Sequence, residues 1–268
     1  MKIRSTLAIV TGLIALSPSL HAHRQWLLAS GTVLSGEGQR ISVEGAVSND
    51  LFFPNHVAIP LAATTATAPD GSLLELLSPA EGKIRCSFEL QLDQSGTYRI
   101  TTLNNMMFVR WQEDGEPRAL RGSPDEIAAK DLTGLNEVAL AHYITRVETI
   151  VTCGAPTPLA PSNTGIEFEF LTHPNDLYFG ETATFRVLLD GEPHAGAEIT
   201  IVQGNDRFRD SVDELVVTSD AEGLIHIEWP APGRFWLNTN TSQSPGEFQG
   251  HPLRRGTAYS LTLEVLPQ

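Results

Sequence analysis

The six residues His21-Ala22-His23-Arg24-Gln25-Trp26 carry the strongest chemical signal in this chain. Lys2 and Arg4 precede an apolar run from Leu7 to Leu16. Ser17-Pro18 breaks that run, and Ala22 places a small residue before a cut. This is the layout of a secretory signal peptide over residues 1–22, and the apolar run is too short to span a bilayer. Cleavage after Ala22 leaves His23 as the first residue. Its α-amine and imidazole, once deprotonated, can chelate one metal ion. The competing reading is an ordinary terminus that happens to be histidine.

A terminal chelate needs two or three further donors. His56, in the aromatic-rich segment Asn49-Asp50-Leu51-Phe52-Phe53-Pro54-Asn55-His56, is the first choice. His142, ahead of a strand, and His251, in Gly250-His251-Pro252, come next, with Asp50 as a carboxylate ligand. Each competes with a plainer role, Asp50 as a turn residue after Asn49. His173, His194 and His226 read as surface polar residues, His226 because it alternates with Ile225 and Ile227. Imidazole nitrogen suits nickel, cobalt, copper and zinc alike. No HxxxH or HExxH pair, Gly-x-Ser-x-Gly elbow or phosphate-binding glycine loop occurs, so zincin, hydrolase and nucleotide-enzyme readings have no support.

The chain has 268 residues, a formal net charge of −14 and an apolar fraction of 41%. Loss of Lys2 and Arg4 with the leader makes the remainder more acidic still. Such a surface repels nucleic acid and anionic lipid and favours cations. The composition is that of a globular chain, and no later stretch has the length of a membrane-spanning helix. The expectation is a soluble exported protein, periplasmic in a bacterium. Cys86 and Cys153 are the only cysteines. Export to an oxidising compartment makes a Cys86–Cys153 disulfide the expected pairing, with two buried thiols as the alternative.

The elements that must position these residues read as short strands. Arg40 to Val47 and Ile84 to Leu92 alternate apolar and polar residues. Asp93-Gln94-Ser95-Gly96-Thr97-Tyr98 has the spacing of the tyrosine corner of immunoglobulin-like sandwiches. Ser123-Pro124-Asp125-Glu126 is a helix start, with a cap, a first-position proline and acids in the first turn. It predicts a short helix over 127–132 ending near Gly134, and a second helical turn over 136–141 before a strand to Cys153. Residues 154–164, rich in proline, read as a linker. Beyond it, 165–171, 181–189, 197–202, 215–218, 224–229 and 257–266 read as strands, with turn signals at Asp190-Gly191 and Asp220-Ala221-Glu222-Gly223. Gly233 before Phe235 repeats the pattern of Gly96 before Tyr98.

Several of these segments carry a family resemblance. The His-x-x-Trp start, Gly96-Thr97-Tyr98, Arg146-Val147-Glu148-Thr149, Phe185 to Pro193 and Ala231-Pro232-Gly233-Arg234-Phe235-Trp236 resemble the bacterial family called domain-of-unknown-function 4198. The second half is similar to carboxypeptidase-regulatory or transthyretin-like modules. The resemblance implies the periplasmic component of a cobalt or nickel uptake system, without fixing a ligand set.

The expected architecture is all-β: two immunoglobulin-like or transthyretin-like β-sandwich domains, 23–153 with a helical insertion and 165–268. The expected function is non-enzymatic binding of a transition-metal ion or metal complex, nickel or cobalt with copper as the alternative, for a membrane metal-uptake system. Two other readings stand beside it. One is a non-catalytic adhesion or protein-binding module. The other is a copper-dependent oxidative enzyme, which requires a second imidazole opposite the terminus.

Overall fold

The computed structural model describes residues 23–36 and 38–268; the expected leader, 1–22, lies outside the described residues. Nearly everything is strand. A ten-stranded sheet runs through both halves in the order Leu215–Thr218, Glu198–Gln203, Gly233–Phe248, His251–Val265, Asn136–Cys153, Gly96–Glu113, Thr64–Thr67 and Leu73–Leu74. Glu116–Gly122 and Val33–Leu34 pair alongside this path. Two smaller sheets cover it. One is built on Arg24–Ala29, Gln39–Ser48, Cys86–Leu92 and Leu77–Glu81, the other on Ile166–Phe170, Thr182–Leu189 and Leu224–Glu228. The result is a sandwich architecture in which both halves share their longest sheet.

Strand alternation sends the two cores to opposite faces of that sheet. In Asn136–Cys153, Val147 and Val151 join Leu27, Val43, Phe88 and Tyr98 in the first core. Ile150, on the other face, joins Phe168, Phe185, Leu237 and Leu261 in the second. The seam between the halves is the parallel pairing of Asn136–Cys153 with His251–Val265, from Leu140↔Leu253 to Thr149↔Thr262.

The tyrosine corner forms as expected. The Tyr98 hydroxyl donates to the Gln94 carbonyl at 2.8 Å and accepts from the Gln94 amide at 2.8 Å. Gly96 has φ +143°, and a Cβ there would lie 2.5 Å from the Pro69 ring. Only glycine fits that entry.

Three expectations are corrected. The helix is shorter than its pattern, Pro124–Ala128, although its capping box is complete: Ser123 Oγ accepts from the Glu126 amide and Glu126 from the Ser123 amide. Residues 136–141 are strand, because Leu140 and Ala141 pair with Val109 and Phe108 on one side and with Leu253 and Arg254 on the other. Cys86 and Cys153 do not form a disulfide. They stand in different sheets, Cys86 opposite Gly45 and Cys153 opposite Gly96. The Cys153 thiol is turned to the Gly36 carbonyl, while burial pushes the Cys86 thiol up to about 11.

A buried polar cluster closes the seam. Glu148, 2% exposed, accepts from Thr101 Oγ1 at 2.9 Å, Tyr259 Oη at 2.7 Å and Arg146 Nη1 at 3.3 Å. Burial, with Glu148 beside it, pushes the Tyr259 phenol well up, so it remains the donor. Arg146 also donates to Ser162 Oγ at 2.6 Å, and Glu167 accepts from the Ser162 and Asn163 amides. The proline-rich segment is thereby tied down. His173 ties it at a second point and is half-buried, not the surface residue expected. Its Nδ1 accepts from the Asn175 amide at 3.2 Å. Its Nε2 contacts Thr97 Oγ1 at 3.0 Å and the Thr157 carbonyl at 3.3 Å, contacts that suit the neutral ring protonated at Nε2.

Two predictions follow from this packing. Glu148→Ala leaves Arg146 charged and buried without its carboxylate, so urea unfolding should show a loss of about 3–5 kcal/mol. Tyr259→Phe removes one hydrogen bond to a charged group and should cost about 1.5–3 kcal/mol. The second concerns pH. Burial lowers the pKa of His173 and of His142 below the ordinary 6.5. The unfolded chain therefore binds more protons than the folded one in that window. Stability from these two groups should be complete above pH 6.5 and fall as pH drops through and below it. Denaturation midpoints across pH 5–8 should show that slope, shallower in His173→Gln.

Candidate functional site

The site is assembled by the first described strand and the loop after the second long one. Arg24 opens the strand Arg24–Ala29 and is only 8% exposed. Its Nη1 donates to Asp206 Oδ2 at 2.8 Å and to the Asn49 carbonyl at 3.2 Å, and its Nη2 donates to Glu214 at 3.1 Å. The guanidinium also lies 5.9 Å from the centroid of the Trp236 ring. Trp26 anchors the same strand, its indole N–H donating to Ser48 Oγ at 2.8 Å. Trp236 donates to the Gln25 carbonyl at 2.8 Å. The two tryptophans share a small core with Ala46, Leu51 and Val202, which welds the start of the described chain to the second half.

Asp206 does a second job. Its carboxylate accepts from the Leu51 amide at 3.0 and 3.1 Å, so one buried side chain holds both the 24–29 strand and the 49–56 loop. Within the loop, Asn55 Oδ1 accepts from the Asn49 amide at 2.9 Å, and Asn55 Nδ2 donates to Asp50 at 2.9 Å. Phe52 takes a left-handed φ of 63° to make the bend. His56, at the end of the loop, comes back to the start of the strand. The His23 and His56 rings stack with centroids 3.9 Å apart and planes 9° from parallel. Both residues are exposed. The rim beyond them is aromatic: Phe53 meets Phe208 edge-on at 5.7 Å, and Arg207 sits 5.2 Å over Phe53.

Of the residues the sequence singles out, His23 and His56 meet. Asp50 belongs to the same loop, but its carboxylate is engaged by Asn55. His142 and His251 lie elsewhere, on the strands Asn136–Cys153 and His251–Val265 of the large sheet. His142 Nε2 contacts Asn105 Oδ1 at 2.6 Å, and His251, at the start of its strand, contacts the Leu132 carbonyl at 3.0 Å. Among the described residues no group of three or more His, Cys, Asp or Glu side chains is placed to hold a metal. The described donors are therefore two imidazoles, and a third would come from the α-amine of a chain cut after Ala22.

Sequence reasoning missed Arg24 and Asp206. The only local signal was Arg24 lying directly after His23, since Asp206 is 182 residues away. Arg24→Ala removes the charge that Asp206 faces and the stacking on Trp236. It should destabilise the fold by about 3–5 kcal/mol, and exchange of the Gln25–Leu28 amides should quicken before that of the Phe88–Leu90 amides. Uniform quickening in both strands would contradict a local latch.

Comparison with other proteins adds the family and little else. The family model described as a domain of unknown function, DUF4198, matches residues 20–243. No curated protein matches the chain. Among solved structures, the D0-D1 domain of intimin shares 11% identity at a TM-score of 0.21, covering 87% of this chain and 96% of that one. A DUF4785 family protein from Legionella pneumophila shares 10% identity at 0.23, covering 80% of this chain and half of that one. The alpha-2-macroglobulin of Escherichia coli shares 15% identity at 0.22, with 91% of this chain spanning 20% of its length. With its match covering residues 20–243, this chain belongs to the DUF4198 family.

Proposed function

We propose that this protein is a periplasmic, non-catalytic binder of a late first-row transition-metal ion, which it delivers to a membrane uptake system. Nickel or cobalt is the expected cargo and copper its strongest competitor. The observation that carries this reading is the His23–His56 pair, two imidazoles from sequence-distant segments held 3.9 Å apart at the surface. Cleavage after Ala22 adds the α-amine of His23 and makes a three-nitrogen donor set suited to copper, nickel, cobalt or zinc. The stacked rings need only modest side-chain rotation to present nitrogen to one ion, because both are exposed while the backbone behind them is fixed. The acidic surface concentrates cations near the site. The rim of Phe53, Arg207 and Phe208, the last 76% exposed, is the face on which a membrane acceptor would dock for transfer.

The test is calorimetry with nickel, cobalt and copper in turn, on protein whose terminus is verified as His23 by intact mass. One added residue before His23 displaces the amine and should weaken binding at least tenfold. His56→Ala should do the same, while His226→Ala leaves binding unchanged. Affinity should fall as pH drops, because protons compete for all three nitrogens, the amine's reference pKa being about 7.7–8.0. Equal affinity in native and extended chains defeats the terminal chelate. Absence of binding by all three metals points to a protein-binding module instead.

The second imidazole beside His23 is also what the copper-enzyme reading requires. Copper-loaded protein that consumes peroxide or oxygen in the presence of a reductant, and loses that turnover in His56→Ala, would select that reading over transport.

A further inference from the structure

Beyond the site just described, the large sheet carries an open trough of about 890 Å³ on one face, where the strands Gly96–Glu113, Asn136–Cys153 and His251–Val265 run side by side. Its shape follows from strand alternation. Phe108 faces Ala141, Tyr143 faces Met106, and Ala141 is in turn level with Arg254. Small residues therefore form the floor, and the Phe108–Tyr143 pair forms one wall. The Tyr143 ring lies so close over Gly256 that a Cβ there would stand 2.8 Å from it. Phe108 and Tyr143 meet edge-on at 5.8 Å, yet are 39% and 40% exposed. The opposite face is conventional core, where Met107, Val109 and Leu140 pack against Ile127 of the helix and Leu132.

The charge at the trough is unlike that of the rest of the molecule. Its polar lining includes Arg110 and Arg254 and no carboxylate, in a chain with 32 acidic against 18 basic residues. Eight other arginines form ion pairs. Among the described residues Arg110 meets no acid, and Arg254 donates only to Ser242 Oγ at 3.3 Å. From Asn104 to Arg110 the strand extends about 20 Å. An elongated apolar floor and wall, with two available guanidiniums, match one kind of ligand: an extended hydrocarbon chain carrying a carboxylate.

We propose that this trough binds a free fatty carboxylate, its chain lying across Ala141 alongside the touching Phe108 and Tyr143 rings and its head group on Arg110 and Arg254. The volume is in the range of small-molecule sites, and guanidinium is the side chain best shaped to take a carboxylate by two parallel hydrogen bonds.

The test is calorimetry of the full mature protein with dodecanoate below its micelle concentration, in the presence of a metal chelator so that the outcome is independent of the metal site. Dodecanoate should bind at micromolar concentration, and dodecyltrimethylammonium at least tenfold more weakly. The doubly substituted R110E/R254E protein should lose at least tenfold in dodecanoate affinity with an unchanged melting temperature, both positions being exposed. Ala141→Phe, which fills the floor, should also abolish binding. If that variant fails to fold, the charge-reversed protein alone decides the matter. Equal binding of the two amphiphiles, or unchanged affinity after charge reversal, overturns the proposal. So does binding to phosphatidylglycerol vesicles without binding of monomeric dodecanoate. A dimer that Ala141→Phe breaks and dodecanoate leaves intact would show that the trough is a contact between copies, and would overturn it as well.

Discussion

The ion pair between Arg24 and Asp206 fixes what matters most in this molecule. A guanidinium at the first described strand and a carboxylate from the second half meet almost fully out of water. Burying two charges is costly and rarely adds net stability over a well-packed apolar pair. Its value here is positional. Asp206 also takes the Leu51 amide, so the strand start and the 49–56 loop have one shared reference point. The stacking of His23 on His56 draws on that point, together with the Asn55 hydrogen bonds that close the loop.

The same economy appears at the seam. Glu148 gathers donors from three neighbouring strands, and Arg146 carries the connection on to Ser162 and, through it, to Glu167. The proline-rich stretch between the halves is therefore latched against the sheet at Ser162 and again at Thr157 through His173. A segment whose composition reads as a spacer acts as a strap. The distinction lies in the polar side chains that interrupt its prolines: Thr157 pairs with Thr97, and Ser162 with Arg146 on one side and Glu167 on the other.

Much of the fold was legible because it is written locally. Alternation marked Gln39–Ser48 and Cys86–Leu92 in one small sheet, though not Arg24–Ala29 or Leu77–Glu81, and the strands Ile166–Phe170, Thr182–Leu189 and Leu224–Glu228 in the other; the Gly96–Tyr98 spacing marked the tyrosine corner, and Ser123 with Glu126 the capping box. The misreadings share one cause, which is information carried by distant pairing. Residues 136–141 look helical because a bulge between Asn136 and Ala139, with Glu137 at φ 53°, disrupts their alternation. Their strand character comes from neighbours on both sides. The cysteines invite a disulfide by compartment and share one core, but the Cys153 thiol is turned to the Gly36 carbonyl instead. At the site, His23 and His56 were the first two choices from sequence. One reason they meet, Asp206, has no signal within reach of either.

The parallel seam imposes an order on how this protein comes into being. Parallel pairing gives the strand 136–153 a neighbour from the second half, 251–265. Until that strand arrives, one edge of 136–153 is bare, and bare edges recruit other chains. Long-range pairings of this kind also form slowly. The first half is therefore completed only when a strand of the second half pairs with it. Loss of that strand would unpair the first half while also removing Leu261, Leu263 and Val265 from the second core, so damage on one side of the seam is felt on both.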